Sequence, residues 1–340
     1  MQNFLDPAIL FFVFGITAGL LRSNLELPAA ISRFLALYLL MALGLKGGFA
    51  LSKSGLTEEV VASLACAVAM AVFVPLVAHA LLRRLVPPFD AVGISATYGS
   101  VSAVTFITAV QFLESQGTPA GGHMAAAMAL MESPAIIMAV VMANLLRRQA
   151  ASMAMQCPAA TAVLGSGGGG GGGGGAPLPL GKVLHEAFTD GAQLLLLGAM
   201  VIGMVSGSHG EAVMKPFIGD LFKGLLAFFL LDMGLLTARH LAGLKALSPW
   251  LLVYAVVAPL VHATAALGLA AMAGLDVANA TLIAVLSASA SYIAVPAVLR
   301  HAVPEAQPAL YMGMSLGLTF PFNILVGIPL YASMAKAWLG

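Results

Sequence analysis

The stretch TYGSVSAVTF, which runs from Thr97 to Phe106, places a tyrosine, a glycine, two serines and two threonines inside a chain that is otherwise almost continuously apolar. A second polar stretch, LSASASYIAV, runs from Leu286 to Val295. An unsatisfied backbone group is costly in hydrocarbon, so irregular backbone persists at membrane depth only where protein or a water-filled cavity covers it. We therefore expect each stretch to interrupt a helix, and we expect the two interruptions to face each other.

The composition of the whole chain indicates a membrane protein. Of its 340 residues, 60% are hydrophobic and 9% are charged, whereas soluble domains have about 45–50% and about 25%. Apolar stretches of roughly 20 residues, the length that spans a bilayer, recur between short segments with proline, glycine or charge. We predict an all-α polytopic membrane protein with about ten transmembrane helices, of which the fourth covers Phe89–Leu113 and the ninth covers Val277–Leu299.

The distribution of basic residues predicts the orientation in the membrane. If the chain starts outside, all eight arginines fall on the cytoplasmic side, together with Lys182 and Lys245. By the positive-inside rule, both termini then lie on the periplasmic or extracellular side of the cell (inner) membrane. No basic residue precedes the first apolar run, so we expect the first span to be retained rather than cleaved as a signal peptide.

A glycine tract divides the chain into two halves. The tract GSGGGGGGGGG covers Gly165 to Gly175, and such a sequence behaves as a flexible coil because it cannot bury apolar surface. No Lys-Ser/Thr pair follows it, which excludes a Walker-type phosphate loop. We assign residues 1–148 to a first five-helix repeat, residues 149–180 to a cytoplasmic linker and residues 181–340 to a second five-helix repeat.

The two halves resemble each other at a constant offset. A shift of 187 positions lays SVSAVTF over SASASYI and pairs Ser100 with Ser287 and Ser102 with Ser289. Internal similarity of this kind indicates duplication. Because five spans is an odd number, the second copy must enter the membrane upside down. The sequence thus predicts an inverted repeat with two broken crossing helices, which is the organisation of many secondary transporters.

Each predicted interruption creates backbone groups that suit ions of both signs. Exposed N–H groups at a helix N-terminus favour an anion, whereas free carbonyls and hydroxyls favour Na⁺. We therefore predict a site for an anion and Na⁺, formed from Gly99 to Ser102 on one side and from Ser287 to Ser291 on the other. The alternative is that these small residues only allow helices to pack closely. The spacings of Gly15, Gly19, Gly44 and Gly48 predict close packing at the interface where a crossing-helix core would move past the remaining helices.

Two acidic residues, Glu132 and Asp232, lie inside apolar spans, where acidic side chains are rare and usually functional. We expect Glu132 to help bind the cation, because the following Pro134 frees carbonyls of its helix. The alternative for each carboxyl is a contact that holds two helices together. The predicted sodium ligands are Ser102, Thr105, Thr108, Glu132, Ser289, Thr319 and Asn323.

The chain resembles the SbtA-type sodium-dependent bicarbonate permeases in motifs that occur in the same order over both halves, namely DPAILFFVFGITAGLL, LGLKGG, YGSVSAVTF, MESPAII, SASASYIAVPAVLR and LTFPFNILVGIPLY. The resemblance implies ten spans in a five-plus-five inverted repeat, a core and a gate domain, and a homotrimer. It also implies Na⁺-coupled uptake (symport) of bicarbonate by alternating access. The residues implied to bind bicarbonate are Ser100, Val101, Ser102, Ser287, Ala288 and Ser289. From the two polar stretches themselves we add Tyr98, Gly99 and Ser291 to the predicted bicarbonate contacts.

The resemblance further implies a PII-like cytoplasmic regulator, although the polyglycine tract here replaces the loop that takes part in such regulation. We expect no enzymatic activity, no cofactor apart from Na⁺ as the coupling ion, and no nucleic-acid partner. The alternatives are symport of a small organic anion, Na⁺/H⁺ exchange on the same architecture, and a bicarbonate-binding sensor. A hydrolase using Ser315 of GMSLG is disfavoured, because the GxSxG nucleophile requires a strand-to-helix elbow.

Overall fold

A computed structural model describes residues 6–156 and 191–340, except residues 56, 242, 245 and 246. Throughout this part of the chain, the regular secondary structure is helical. The helices in chain order are α1 (Pro7–Leu20), α2 (Ala29–Ser54), α3 (Glu58–Leu82), α4 (Pro88–Gly99), α5 (Ala103–Ser115), α6 (Met124–Gln156), α7 (Gly191–Lys215), α8 (Leu221–Leu241), α9 (Pro249–Met272), α10 (Val277–Ala288), α11 (Ala294–Ala302) and α12 (Pro308–Leu339).

Length and hydropathy identify seven candidate membrane spans among the described residues, while α1 and α10 are shorter apolar helices. One candidate covers α4 and α5 together, and another covers the 51 residues Gly191–Leu241. That second candidate is longer than one crossing of about 20 residues requires, and Gly207 interrupts it with a left-handed φ of 53°. The chain is therefore an all-helical, multi-pass membrane protein, as its composition predicts.

Helices α1, α2, α7 and α8 form a first helix group in which glycines bring backbones into direct contact. The α-carbons of Gly15 on α1 and Gly234 on α8 approach each other, as do those of Gly48 on α2 and Gly203 on α7. A β-carbon at Gly15 would overlap the carbonyl oxygen of Leu231. The predicted glycines do pack closely, but their partners are α8 for α1 and α7 for α2, so these contacts lie within the first helix group and not at its interface with the interrupted helices, where they were expected.

The remaining helices, α3 to α6 and α9 to α12, form a second helix group. Within it α3 and α6 pack on α4, and α9 and α12 pack on α10. Helix α12 contains two wide, π-helical turns, Ser315–Thr319 and Asn323–Gly327. These turns flank Pro321, which has no N–H to donate to a helical hydrogen bond. The two groups meet at several places, which include α8 against the first π-helical turn of α12 and α6 against both α2 and α7.

Local signals at the helix ends explain several boundaries. Asp6, Thr57, Ser248 and Asp276 each accept a hydrogen bond from the first turn of the following helix, which is the usual role of an N-cap residue. At the other end, α6 continues to Gln156 and thus enters the range 149–180 assigned to the linker. The rest of that range, including the glycine tract, lies outside the described residues.

Candidate ion-binding site

Two non-helical segments separate helices at the positions of the polar stretches. Helix α4 ends at Gly99, the backbones of Ser100 and Ser102 are extended, and α5 begins at Ala103. Helix α10 ends at Ala288, Ser289 is extended with φ −80° and ψ 166°, and α11 begins at Ala294. We call residues 100–102 the first interruption and residues 289–293 the second interruption.

The two interruptions hydrogen-bond directly to each other. The backbone N–H of Ser102 donates to the Oγ of Ser289 over 2.9 Å. In return, the backbone N–H of Ser291 donates to the carbonyl oxygen of Thr97, in the last turn of α4, over 2.8 Å. The first interruption thus donates to the second, and the second donates to the last turn of the helix that precedes the first. Because all four residues are buried, these bonds stabilise a geometry that would otherwise leave backbone groups unpaired.

Serine and threonine hydroxyls line both interruptions. The Oγ of Ser102 caps α5, accepting from the N–H of Thr105 at 3.2 Å and from its hydroxyl at 3.0 Å. The Oγ of Ser289 donates to the carbonyl of Leu286 at 2.8 Å. The buried hydroxyls of Thr97 and Ser287 have no hydrogen-bond partner among the described residues. Such groups are uncommon in native structures because leaving them unpaired is costly, so they mark positions where a ligand or water is expected.

Helix α12 contacts both interruptions from one side. The hydroxyl of Tyr98, near the end of α4, is 2.5 Å from that of Thr319, which in turn donates to the carbonyl of Ala255 at 2.7 Å. The amide of Asn323 donates to the carbonyl of Ala288 at 2.8 Å, and its oxygen accepts from Tyr331 at 2.9 Å. Thr319 and Asn323, both predicted from the sequence, lie in the two π-helical turns of α12.

Glu132 and Thr108 are placed differently from the other predicted sodium ligands. The carbonyl oxygen of Glu132 accepts from the hydroxyl of Ser100 at 3.4 Å, but its carboxylate accepts from the amide of Gln193 on α7 at 2.8 Å. The hydroxyl of Thr108 donates to the carbonyl of Val104 within α5. Hydrogen bonds therefore join Glu132 to the first interruption through its backbone and to the first helix group through its side chain.

The residues that pack next to the two interruptions, on α3 and on α9, differ in chemistry. A β-carbon at Gly99 would overlap the ring of Pro75 on α3. The repeat offset of 187 pairs Pro75 with His262, a buried residue of α9, the helix that packs along α10. A polar side chain thus occupies in the second half the position that an apolar ring occupies in the first.

Aromatic side chains connect the second interruption to the first helix group. The rings of Tyr292 and Phe320 are 5.1 Å apart, and Phe320 lies 5.4 Å from Phe12 on α1 in an edge-to-face contact. The hydroxyl of Tyr292 also reaches the sulfur of Met233 on α8 at 3.9 Å. These residues, like Gln193, were not among the predicted site residues, since aromatic and amide side chains in apolar helices give no distinctive sequence pattern.

Helix ends give the site both electrostatic signs. The N-termini of α5 and α11 and the C-termini of α4 and α10 all lie at the two interruptions. A helix terminus carries a partial charge of about half an elementary charge, positive at the N-terminus and negative at the C-terminus. The arrangement can therefore hold an anion and a cation next to each other without a formally charged side chain between them.

These features define a polytopic helical membrane protein with a buried, hydroxyl-lined site between helix ends. The sequence model of the Na⁺-dependent bicarbonate transporter superfamily matches residues 7–336, which is nearly the whole chain. The chain belongs to that superfamily, and the resemblance found in its motifs is confirmed. A comparison with curated protein sequences finds no match.

Proposed function

We propose that this chain is a secondary active transporter that couples Na⁺ to the uptake of bicarbonate by alternating access. The proposal is supported chiefly by the contact between Ser102 and Ser289. These two serines are partners in the internal repeat, and they hydrogen-bond to each other in a member of the Na⁺-dependent bicarbonate transporter superfamily. A duplicated sequence element and a direct contact thus coincide at one buried position.

Helix pairing supports an inverted repeat of two five-helix units. Helix α1 of the first half packs along α8 of the second half, and α2 packs along α7. If α1 corresponds to α7 and α2 to α8, these two pairs exchange with each other under a two-fold rotation. Helices α4 with α5, and α10 with α11, are then the fourth and ninth spans, each broken where it crosses the other. The two helix groups correspond to the gate and core domains.

The two ions are assigned by the chemistry of the groups available. Bicarbonate lies at the N-termini of α5 and α11, where backbone N–H groups favour an anion. The buried hydroxyl of Ser287, near the end of α10, is a further donor without a partner among the described residues. Its full set of contacts is Tyr98, Gly99, Ser100, Val101, Ser102, Ser287, Ala288, Ser289 and Ser291. Na⁺ takes carbonyl and hydroxyl oxygens, which are the ligands that a hard cation prefers. Its full set is Ser102, Thr105, Thr108, Glu132, Ser289, Thr319 and Asn323.

The need for coupling follows from the charge of the substrate. A monovalent anion that enters against 100 mV, inside negative, meets an opposing energy of about 2.3 kcal/mol, and each Na⁺ that enters gains a similar amount. One Na⁺ per bicarbonate makes the cycle electroneutral and uses the sodium concentration gradient alone. A second Na⁺ adds the membrane voltage to the driving force.

Location and assembly complete the proposal. Both termini lie outside the inner membrane, and the segment 149–180 lies in the cytoplasm, where a PII-like regulator would bind. The protein forms a homotrimer. Fusion of a periplasm-sensitive reporter to an N-terminal fragment tests the orientation in the membrane. The mass of the purified protein in detergent tests the homotrimer.

Uptake of labelled bicarbonate into proteoliposomes tests the function. We expect accumulation with an inward sodium gradient, none with an equal potassium gradient, and at least about a fivefold loss in Ser102→Ala, because removal of a buried acceptor costs about 1 kcal/mol or more. The matched control is Ser95→Ala, whose hydroxyl is buried but bonds within its own helix.

The competing functions predict different outcomes of the same assay. Accumulation without a sodium gradient would refute symport, and sodium-driven flux of acetate but not of bicarbonate would indicate an organic-anion carrier. Proton release coupled to sodium entry, without anion flux, would indicate an exchanger. Binding of bicarbonate without flux would indicate a sensor.

A further inference from the structure

A cavity of about 360 Å³ lies between the two helix groups. Its walls come from the C-terminal part of α2, the C-terminal part of α5, and the loop before α6. These are the helix ends opposite to those that carry arginine, since Arg33 lies near the start of α2 and Arg147 in the C-terminal half of α6. In the proposed orientation, the cavity therefore opens to the outside.

The deep end of the cavity approaches both interruptions. Among its lining residues are Phe106 on α5 and Leu282 on α10. The backbone N–H of Phe106 bonds to the carbonyl of Ser102, so Phe106 lies one helical turn beyond that serine. Leu282 lies one turn before Leu286, whose carbonyl accepts from Ser289. A solute that enters this cavity from outside thus stops about one turn from Ser102 and about two turns from Ser289.

Lys46 is the cation placed deepest in this cavity. Its ammonium lies 3.1 Å and 3.3 Å from the two carboxylate oxygens of Glu114 and 4.5 Å from the ring centre of Phe222. The side chain of Lys46 is 24% exposed, whereas that of Lys53 is 59% exposed and forms a short pair with Glu211. Lys46 therefore offers a partly desolvated positive charge inside the cavity, while Lys53 offers a solvated one at its rim.

We propose that Lys46 is a recruitment site for the incoming anion, where a small oxyanion such as bicarbonate displaces Glu114 before it moves to the serines. The inference rests on the proposed function and adds to it a specificity-determining residue outside the serine site. A charge in a narrow cleft with low-dielectric walls raises the local concentration of its counter-ion. Glu114 pairs with Lys46 across the cavity wall, and the carboxylate freed by the anion provides a resting place for Na⁺. Lys46 thus exchanges Glu114 for bicarbonate, and Glu114 exchanges Lys46 for Na⁺.

The test uses charge restoration in one folded protein. Lys46→Cys is made in a background with Cys66→Ala and Cys157→Ala, and the purified protein reacts with an aminoethyl or a sulfonatoethyl methanethiosulfonate before reconstitution. We expect Lys46→Cys to raise the KM for bicarbonate by about three- to tenfold at low ionic strength, with Vmax within twofold. The aminoethyl group should lower the KM again, and the sulfonate group should raise it further. Lys53→Cys is the matched control and should respond to neither reagent.

Two results would overturn the recruitment site. One is an equal KM with the positive and the negative reagent, and the other is a change in Vmax alone, which would indicate a contact that limits movement. A readout that needs no transport separates this proposal from the proposed function. With Lys46 retained, bicarbonate should slow the reaction of Ala50→Cys, a lining position one helical turn from Lys46, with the sulfonate reagent relative to chloride at equal ionic strength, and this protection should disappear when Lys46→Gln is added. If either expectation fails, Lys46 is not an anion site; if wild type shows no sodium-driven uptake, the proposed function fails instead.

Discussion

Substitution of Ser289 by alanine removes the hydroxyl that joins the two interruptions. This oxygen accepts from the backbone N–H of Ser102 at 2.9 Å and donates to the carbonyl of Leu286 at 2.8 Å. Both serines are buried, so alanine leaves the N–H of Ser102 unpaired and shielded from bulk water. An unsatisfied buried donor costs about 1–3 kcal/mol. We expect the free energy of unfolding of Ser289→Ala to fall by this amount.

The same loss affects transport because the first interruption contributes binding groups in the proposed site. If ion binding requires the ordered interruption and the unpaired N–H costs about 1–3 kcal/mol more in the ion-bound state than in the ion-free state, the KM for bicarbonate rises by about 5- to 140-fold, since every 1.4 kcal/mol corresponds to a factor of ten. Sodium-driven uptake into proteoliposomes measures the KM, and thermal unfolding of the purified protein in detergent measures stability.

Ser95→Ala is the control that separates the joining contact from the loss of any buried hydroxyl. Ser95 is buried on α4, and its hydroxyl donates to the carbonyl of Val92 at 3.0 Å in the same helix. Its removal leaves no donor unpaired and should cost less than about 1 kcal/mol. The reasoning is refuted if Ser289→Ala and Ser95→Ala have the same melting temperature and the same KM.

Three further substitutions test other contacts. Gly48→Ala places a β-carbon against a carbonyl of α7 and should lower the free energy of unfolding by about 1–3 kcal/mol; Gly198→Ala, where the added carbon meets nothing within 4 Å, should be neutral or stabilising by up to about 1 kcal/mol in the same melting experiment. Glu132→Gln should raise the sodium concentration for half-maximal uptake by roughly tenfold, equivalent to about 1.4 kcal/mol, and an unchanged sodium dependence would contradict a role for this carboxylate. Arg147→Gln removes both guanidinium bonds to Glu305, each 2.7 Å long, and should lower stability at pH 7 by about 1 kcal/mol. The bonds to Arg147 hold the pKa of Glu305 below its usual 4.5. The stabilisation by this ion pair is therefore fully present above pH 4.5 and is lost as the pH falls through the lower pKa of the folded state. Melting curves from pH 7 to pH 3 should show the mutant and wild type converging.

The serine contact could be predicted because two independent constraints identify it. Polar small residues in an apolar chain indicate irregular backbone that protein must cover, and the repeat offset pairs Ser102 with Ser289. The helical class follows from composition in the same way. The partner of Glu132 could not be predicted, because Gln193 opens an apolar run on α7 and nothing in its sequence indicates which helix it faces.

Helix boundaries were predictable only where apolar pattern and helix propensity end together. The apolar pattern of α6 ends at Leu146, where Arg147 and Arg148 follow, yet the helix runs on to Gln156. Arginine, glutamine, alanine and methionine are all good helix formers, so the apolar pattern ends before the helix does. The π-helical turns of α12 depend on the missing N–H of Pro321 and on tertiary packing. The sequence shows the proline but does not show the packing.

The glycine contacts of the first helix group restrict how this protein can change shape. Where Gly15 meets Gly234 and Gly48 meets Gly203, main chain lies on main chain, with no layer of side chains between the helices that could switch rotamers. Such a junction cannot slide by a fraction of a turn without collision of backbone atoms. Displacement between the two groups is therefore expected at contacts made through side chains, such as the edge-to-face rings of Phe12 and Phe320 and the hydrogen bond between Gln193 and Glu132. The pairs α1–α8 and α2–α7 would then each move as one rigid unit.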